Sequence, residues 1–234
     1  MTITEQVALA KRTGYAGVLF AGARNAGAMV EAQRSAGLRP LGIYTGIHLS
    51  AERPGLEPGL AEAISALRGT GALITFTVNG KRAGGDEVAV GLIREAADLA
   101  AKAGLRVALY PHYGFYMARI EDALRLWTLA GRENVGLVFN LCHWLRSGDG
   151  GNLQARLREV GPYLDLALIN GSDDAGEWDR LIQPLGRGSY DVAGFVRALR
   201  AAGYRGRIGL QCYGIKGDRE ENLRQSMAAW QRLR

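Results

Sequence analysis

Cysteine is almost absent from this chain: Cys142 and Cys212 are the two in 234 residues. Two thiols cannot build a disulfide framework or a cysteine-rich zinc site, so a reducing, cytoplasmic setting is expected. Histidine is scarce too, with three in the chain, which excludes any centre that needs four or more imidazoles. No apolar run reaches the ~18 residues a membrane span requires, and the opening MTITEQVALAKR has no signal-peptide pattern. Lysine supplies four of the 29 basic residues; against 23 acidic ones they leave a net charge of +6. The arginines are scattered over presumed helix faces, with no basic run and no basic stripe interleaved with aromatics. They read as a solvated surface and argue against nucleic acid as a partner.

What is present is one unit repeated. A helical stretch closes on a glycine, and a short apolar run follows at once. The glycines are Gly14, Gly37, Gly71, Gly104, Gly131, Gly161 and Gly203, four of them in the near-copies TGYAG, AGLRP, AGLRV and AGYRG. Glycine suits the left-handed residue that ends a helix, so each is expected there. The runs that follow predict strands at 18–20, 41–46, 72–79, 106–112, 135–140, 164–170 and 207–214. Most are continuously apolar, as parallel strands covered on both faces are. Amphipathic segments such as DEVAVGLIREAADLAAKAG separate them. No linker divides the chain, so residues 1–234 are read as one α/β domain.

A (β/α)8 barrel usually takes about 250 residues and eight strands. Seven strands are predicted here, and the chain opens with a helix for which Thr2 and Glu5 fit a capping box. The expected architecture is a TIM-type barrel lacking its first strand. Either an upstream segment supplies that strand or the barrel closes with seven. A doubly wound sheet is disfavoured, because neither G-x-G-x-x-G after a strand nor a Walker motif occurs.

In either architecture the chemistry belongs at the carboxyl ends of the strands. Those ends carry Asn79 and Lys81, Tyr110 and His112, Asn140 and His143, Asn170 followed by Ser172, Asp173 and Asp174, and Gln211 with Tyr213. An asparagine ending an apolar run is often only a turn signal. Gln211 instead interrupts the run IGLQCYG, and its amide must find partners. Amides both donate and accept, which matches the hydroxyls of a polyol. His48, in the loop IHLSAERPG, is read as a surface or packing residue. Lys81 is a candidate base or phosphate contact that a solvated role explains as well. Cys142 and Cys212 read as buried small residues, not nucleophiles.

The segments VGLVFNLCHW (135–144), INGSD (169–173), PLGRGSYD (184–191) and AGYRGRIGLQCYG (202–214) resemble the xylose-isomerase-like TIM barrels, a sugar phosphate isomerase/epimerase superfamily that also includes endonuclease IV. The resemblance runs from about residue 2 to the C-terminus. Members typically hold one divalent metal, often manganese, with a Glu, Asp, His, Glu set. Carried over by position, that set falls on Tyr110, Asn140, Asn170 and Gln211, every one a neutral departure. His143 matches the family's histidine three residues beyond the Asp, and His112 the histidine of its Glu-x-His strand. The implied divalent ion (Mn, Mg or Zn) has lost its usual ligands. His112, His143, Asn140 and Gln211 are the weak candidates left to hold one. Hard cations are held chiefly by carboxylate oxygen, so this set should bind them poorly.

The resemblance implies an enzyme of carbohydrate metabolism: an isomerase, epimerase or lyase that moves a proton next to a carbonyl. His112 and His143 are the proton-transfer candidates, because imidazole titrates near neutrality. Tyr110, Asn140, Asn170, Gln211, Asn79, Lys81 and Tyr213 are the candidate substrate contacts. The alternative is a non-catalytic sugar-binding protein derived from the same barrel. The expected partner is a small sugar or sugar derivative, with no membrane. An unpaired edge at the missing strand would favour a homo-oligomer.

Overall fold

The computed structural model describes residues 1–50, 52–81, 83–148 and 153–233. They form two compact units, Met1–Gly136 and Leu137–Arg234. In the first unit, α1 (Ile3–Arg12), β1 (Leu19–Ala21), α2 (Ala26–Ser35), β2 (Gly42–His48) and the two-residue β3 (Gly55–Leu56) come first. Then follow α3 (Leu60–Leu67), β4 (Leu73–Asn79), α4 (Gly85–Lys102), β5 (Arg106–Leu109) and α5 (Ile120–Ala130). The parallel order is β1-β2-β4-β5, with β3 antiparallel on β2.

β6 (Val135–Asn140) carries the chain into the second unit. There α6 (Leu141–Arg146), α7 (Leu153–Val160), β7 (Leu164–Ile169), α8 (Trp178–Leu181), α9 (Val192–Ala201), β8 (Arg207–Leu210) and α10 (Arg219–Leu233) follow. β6, β7 and β8 pair in parallel. The seven parallel strands are those expected. β3 was not expected, since two residues leave no periodicity to read.

Thr2 and Glu5 form the anticipated capping box: Glu5 N donates to Thr2 Oγ1 at 3.2 Å, and Thr2 N to Glu5 Oε2 at 2.7 Å. Six of the seven helix-closing glycines have positive φ. Gly161 is the exception, because it opens a 3-10 turn (Gly161–Tyr163) that leads straight into β7. A Cβ on Gly161 would lie 3.0 Å from Ala202 O, so close packing explains it instead.

Register divides each unit's strands into two faces. In the first unit Tyr44 lies beside Thr75 and His48 beside Asn79, while Ala108 lies beside Thr75. Tyr44, Gly46, His48, Thr75, Thr77, Asn79 and, continuing β5, Tyr110 therefore share one face. Ile43, Thr45, Ile47, Ile74, Phe76, Val78, Val107 and Leu109 lie on the other, and all are buried. Apolar residues there meet the buried stripes of the helices, such as Ala89, Ile93 and Ala96 of α4.

In the second unit Asn140 lies beside Leu168, and Leu168 beside Gly209. Alternation puts Asn170 and Gln211 on that same face. On the opposite face Phe139 packs against Phe195 of α9, with ring centroids 5.5 Å apart. The turn PLGRGSYD docks on the end of β7 without room for side chains at two glycines. A Cβ on Gly171 would lie 2.1 Å from Pro184 O, and one on Gly188 would lie 2.0 Å from Ser172 O.

Candidate functional site

In the first unit the polar face holds together through its own hydrogen bonds. Thr75 Oγ1 donates to Ile43 O and Thr77 Oγ1 to Thr45 O, so these hydroxyls are satisfied across the β2–β4 seam. The Tyr44 and Tyr110 rings meet edge to face above it, centroids 5.0 Å apart. Burial pushes the Tyr44 phenol above its ordinary range, and a hydrogen bond with Thr77 partly offsets this. The Tyr44 phenol therefore stays protonated near neutral pH.

Asn79 is brought to His48: Nδ1 lies 3.0 Å from Asn79 Oδ1. An amide oxygen only accepts, so Nδ1 donates. His48 is thus the last residue of β2 and not a loop residue as the sequence suggested. Lys81 remains exposed, and its backbone N–H donates to Ser50 Oγ at 2.8 Å. Nearby, Glu57 accepts from Ala23 N at 2.9 Å and from Thr45 Oγ1 at 2.6 Å. That carboxylate ties the segment after β1 to β2, a role that 34 residues of separation hid from sequence reasoning.

β5 ends at Leu109, so Tyr110 and His112 lie beyond the strand and not within it. The chain turns back after them: His112 N donates to Met117 O, and Met117 N to Val78 O. His112 is half-buried, with Phe115 stacked on its ring at 4.0 Å and 21°. Its Nδ1 lies 3.0 Å from Tyr113 O. A carbonyl only accepts, so Nδ1 carries the proton and the neutral ring keeps its lone pair on Nε2. Desolvation lowers the His112 pKa below its ordinary value, which favours that neutral form.

In the second unit Asn140 is buried, and its Oδ1 accepts from Cys142 N at 3.1 Å and from Cys142 Sγ at 3.1 Å. It caps α6 as a helix-starting residue does. Burial pushes the Cys142 thiol up to about 12, which makes its thiolate hard to form. Cys212 departs from expectation: it is exposed and lies beyond the end of β8 at Leu210.

His143 is 6% exposed, and Trp178 meets it edge to face at 5.3 Å. Asn170 is fully buried, and its Nδ2 donates to Gly171 O at 2.7 Å and Leu181 O at 2.6 Å. Both partners only accept, which fixes the amide's orientation. Its Oδ1 is left buried with no hydrogen-bond partner among the described residues. Asp173 accepts from Ser189 N at 2.9 Å and pairs with Arg180 at 2.5 Å. Asp174 accepts from Ser189 Oγ at 2.7 Å. These two carboxylates tie the PLGRGSYD turn to the end of β7. Gln211 is half-buried and accepts from Tyr213 N at 3.2 Å, while the Tyr213 side chain is 81% exposed.

The positions that the resemblance assigns to a divalent ion do not fit one. Asn140 and Gln211 spend their amide oxygens on backbone N–H groups, and Tyr110 and Asn170 bring no charge. Among the described residues no three His, Cys, Asp or Glu converge as a metal site would need. No helix among them is long and apolar enough to cross a membrane.

Parallel strands alternating with helices, and polar groups at the carboxyl ends of those strands, define a TIM-barrel type of α/β protein. The xylose isomerase-like TIM barrel profile matches residues 7–233, and the chain belongs to that family. A probable endonuclease 4 of Mycobacterium leprae is 32% identical over 90 residues, spanning 37% of this chain and 36% of that protein. The Escherichia coli 3-keto-D-glucoside 4-epimerase superposes with a TM-score of 0.78 at 18% identity, covering 98% of this chain and 94% of its own. D-allulose 3-epimerase of Methylomonas sp. gives 0.79 at 16% identity, covering 99% and 92%.

Proposed function

We propose that this protein is a sugar or keto-sugar isomerase, epimerase or lyase that moves a proton next to a carbonyl without a carboxylate-bound metal. The observation that carries the reading is that each unit contains both a hydrogen-bonding strand face and a held imidazole. Asn79, Tyr44 and Tyr110 accompany His112 in one unit, and Asn140, Asn170 and Gln211 accompany His143 in the other. Amide and phenol groups orient hydroxyls and a carbonyl. The orphaned Asn170 Oδ1 is an acceptor that a sugar hydroxyl would satisfy, sparing the ~1–3 kcal/mol that an unpaired buried group costs.

His112 is the base in this reading. Its tautomer leaves the lone pair on Nε2, and desolvation keeps the ring neutral near pH 7. His143 is the second proton-transfer group. The epimerases among the structural neighbours share this chain's fold, which supports the substrate class. Solvent-deuterium incorporation into keto-sugars, screened as a panel, tests the proposal. Wild-type protein should label a sugar at carbon next to its carbonyl. The His112→Ala, His143→Ala double variant should lose at least about 100-fold in that rate. Unchanged labelling in the double variant would sink the assignment.

A second reading, a non-catalytic sugar binder, is favoured by the engaged amides of Asn140 and Gln211, which are held by the fold itself. Ligand-induced thermal stabilisation without any deuterium exchange would establish it.

A further inference from the structure

We propose that Trp178, gripped by Arg146, is a positioning residue that sets the orientation of the His143 imidazole for proton transfer. The inference rests on the reading of His143 as a proton-transfer group. It starts from a closed brace whose two ends stand on one short helix. His143 and Arg146 lie three residues apart on α6, so both face the same side. Between them stands Trp178, which arrives from the far end of the segment that follows β7. Its ring meets the His143 imidazole at 5.3 Å and 72°. The Arg146 guanidinium lies over the same ring, 5.7 Å from its centroid, within the range of a cation–π contact.

Arg146 also fastens the backbone that carries the tryptophan. It donates to Gly176 O at 2.7 Å and to both Glu177 carboxylate oxygens, at 3.0 and 2.8 Å. A two-pronged contact of this kind fixes direction as well as distance, which a lysine could not do. The indole is further wedged against Cys142, Leu181 and Ile182. The neighbouring residues Asp174, Ala175, Gly176 and Glu177 are exposed, and Gly176 has φ 137°. The bond from Ser189 Oγ to Asp174 holds the start of this stretch, and the arginine fork holds its end next to the tryptophan. An imidazole on a six-residue helix thereby acquires a fixed wall, and edge-on contact with that wall limits rotation of the ring.

The test compares Trp178→Phe, Trp178→Leu, Arg146→Lys and His143→Ala in the full chain. His143 ring signals, followed by proton–nitrogen NMR through a pH titration without ligand, report the brace directly. Trp178→Leu should shift those signals and the titration midpoint, and Trp178→Phe should restore most of the difference. With the keto-sugar found by deuterium exchange, Trp178→Leu should lower kcat about tenfold while leaving KM nearly unchanged, as misorientation does. Arg146→Lys should move both readouts in the same direction by less, and it carries the test if the leucine variant does not fold. Unmoved His143 signals in Trp178→Leu, or in Arg146→Lys where that variant stands in, overturn the brace. Moved signals together with full turnover by His143→Ala overturn the catalytic role of His143, and with it the purpose assigned to the brace.

Discussion

His112 is half-buried in a loop of the first unit and has Phe115 lying flat on its ring, whereas His143 is buried on α6 and met edge-on by Trp178. The brace on His112 comes from three residues away and from a carbonyl one residue on. The brace on His143 comes from 35 positions away. A locally held ring has its tautomer and its exposure set by a few neighbours in sequence. A remotely held ring depends on a whole segment keeping its place. The first suits a base that must stay neutral, and the second a group whose direction matters most.

The largest test of this contrast lies in the glycines that support each region. Gly188→Ala would drive a Cβ to 2.0 Å from Ser172 O at φ 89°, and should cost about 3 kcal/mol or more in chemical unfolding, or prevent folding. Gly114→Ala, in the His112 loop, has φ 83° but nothing within 4 Å; its cost should stay near ~1 kcal/mol.

Next in size is a charge test at two asparagines. Asn170→Asp would set carboxylate oxygen against Gly171 O and Leu181 O, a loss of about 2–3 kcal/mol at neutral pH. The carboxyl would be harder to ionise folded than unfolded, so urea midpoints should recover as pH falls and the acid becomes a donor. Asn79→Asp faces a donating His48 Nδ1 instead and should change stability by less than about 0.5 kcal/mol.

Smaller still is the effect of acid on His112. Its folded pKa lies below the ordinary 6.5, so below that pH the unfolded chain takes up a proton that the folded one resists. Stability contributed by the neutral ring should be intact above 6.5 and fade as pH falls toward the lowered value. His112→Gln should flatten that acid limb in thermal unfolding. Least of all, Tyr213→Ala should leave stability within about 0.5 kcal/mol, because the side chain is 81% exposed. Any loss of sugar affinity in that variant would then report contact and not folding.

Seven strands were legible because apolar runs such as ALITFTVN and VGLVFN are continuous and each follows a helix-closing glycine. Their ends were less legible: β5 stops at Leu109, and β2 runs on to His48. A histidine following apolar residues looks alike in a strand and in a loop, and hydrogen bonding across the seam decides. The strand-end amides were visible as residue types, yet what each one does was not. Asn140 caps a helix through Oδ1 and Asn170 donates through Nδ2, from the same side chain in similar sequence surroundings. Trp178 carried no signal, since its partners His143 and Arg146 belong to a different βα unit. Cys212 misled because IGLQCYG is as apolar as a buried strand, although β8 has one strand partner, β7, among the described residues.

The exposed stretch just beyond that last strand gives the chain a practical handle. Of the two thiols, Cys142 is sealed and stays protonated, while Cys212 reaches solvent beside Gln211. Desolvation holds the Cys212 thiol above its ordinary range, so alkylation should be slow. It should nonetheless stop at one adduct per chain. A maleimide dye introduced there, with no engineered cysteine, would sit next to a candidate sugar contact and brighten or dim as ligand arrives.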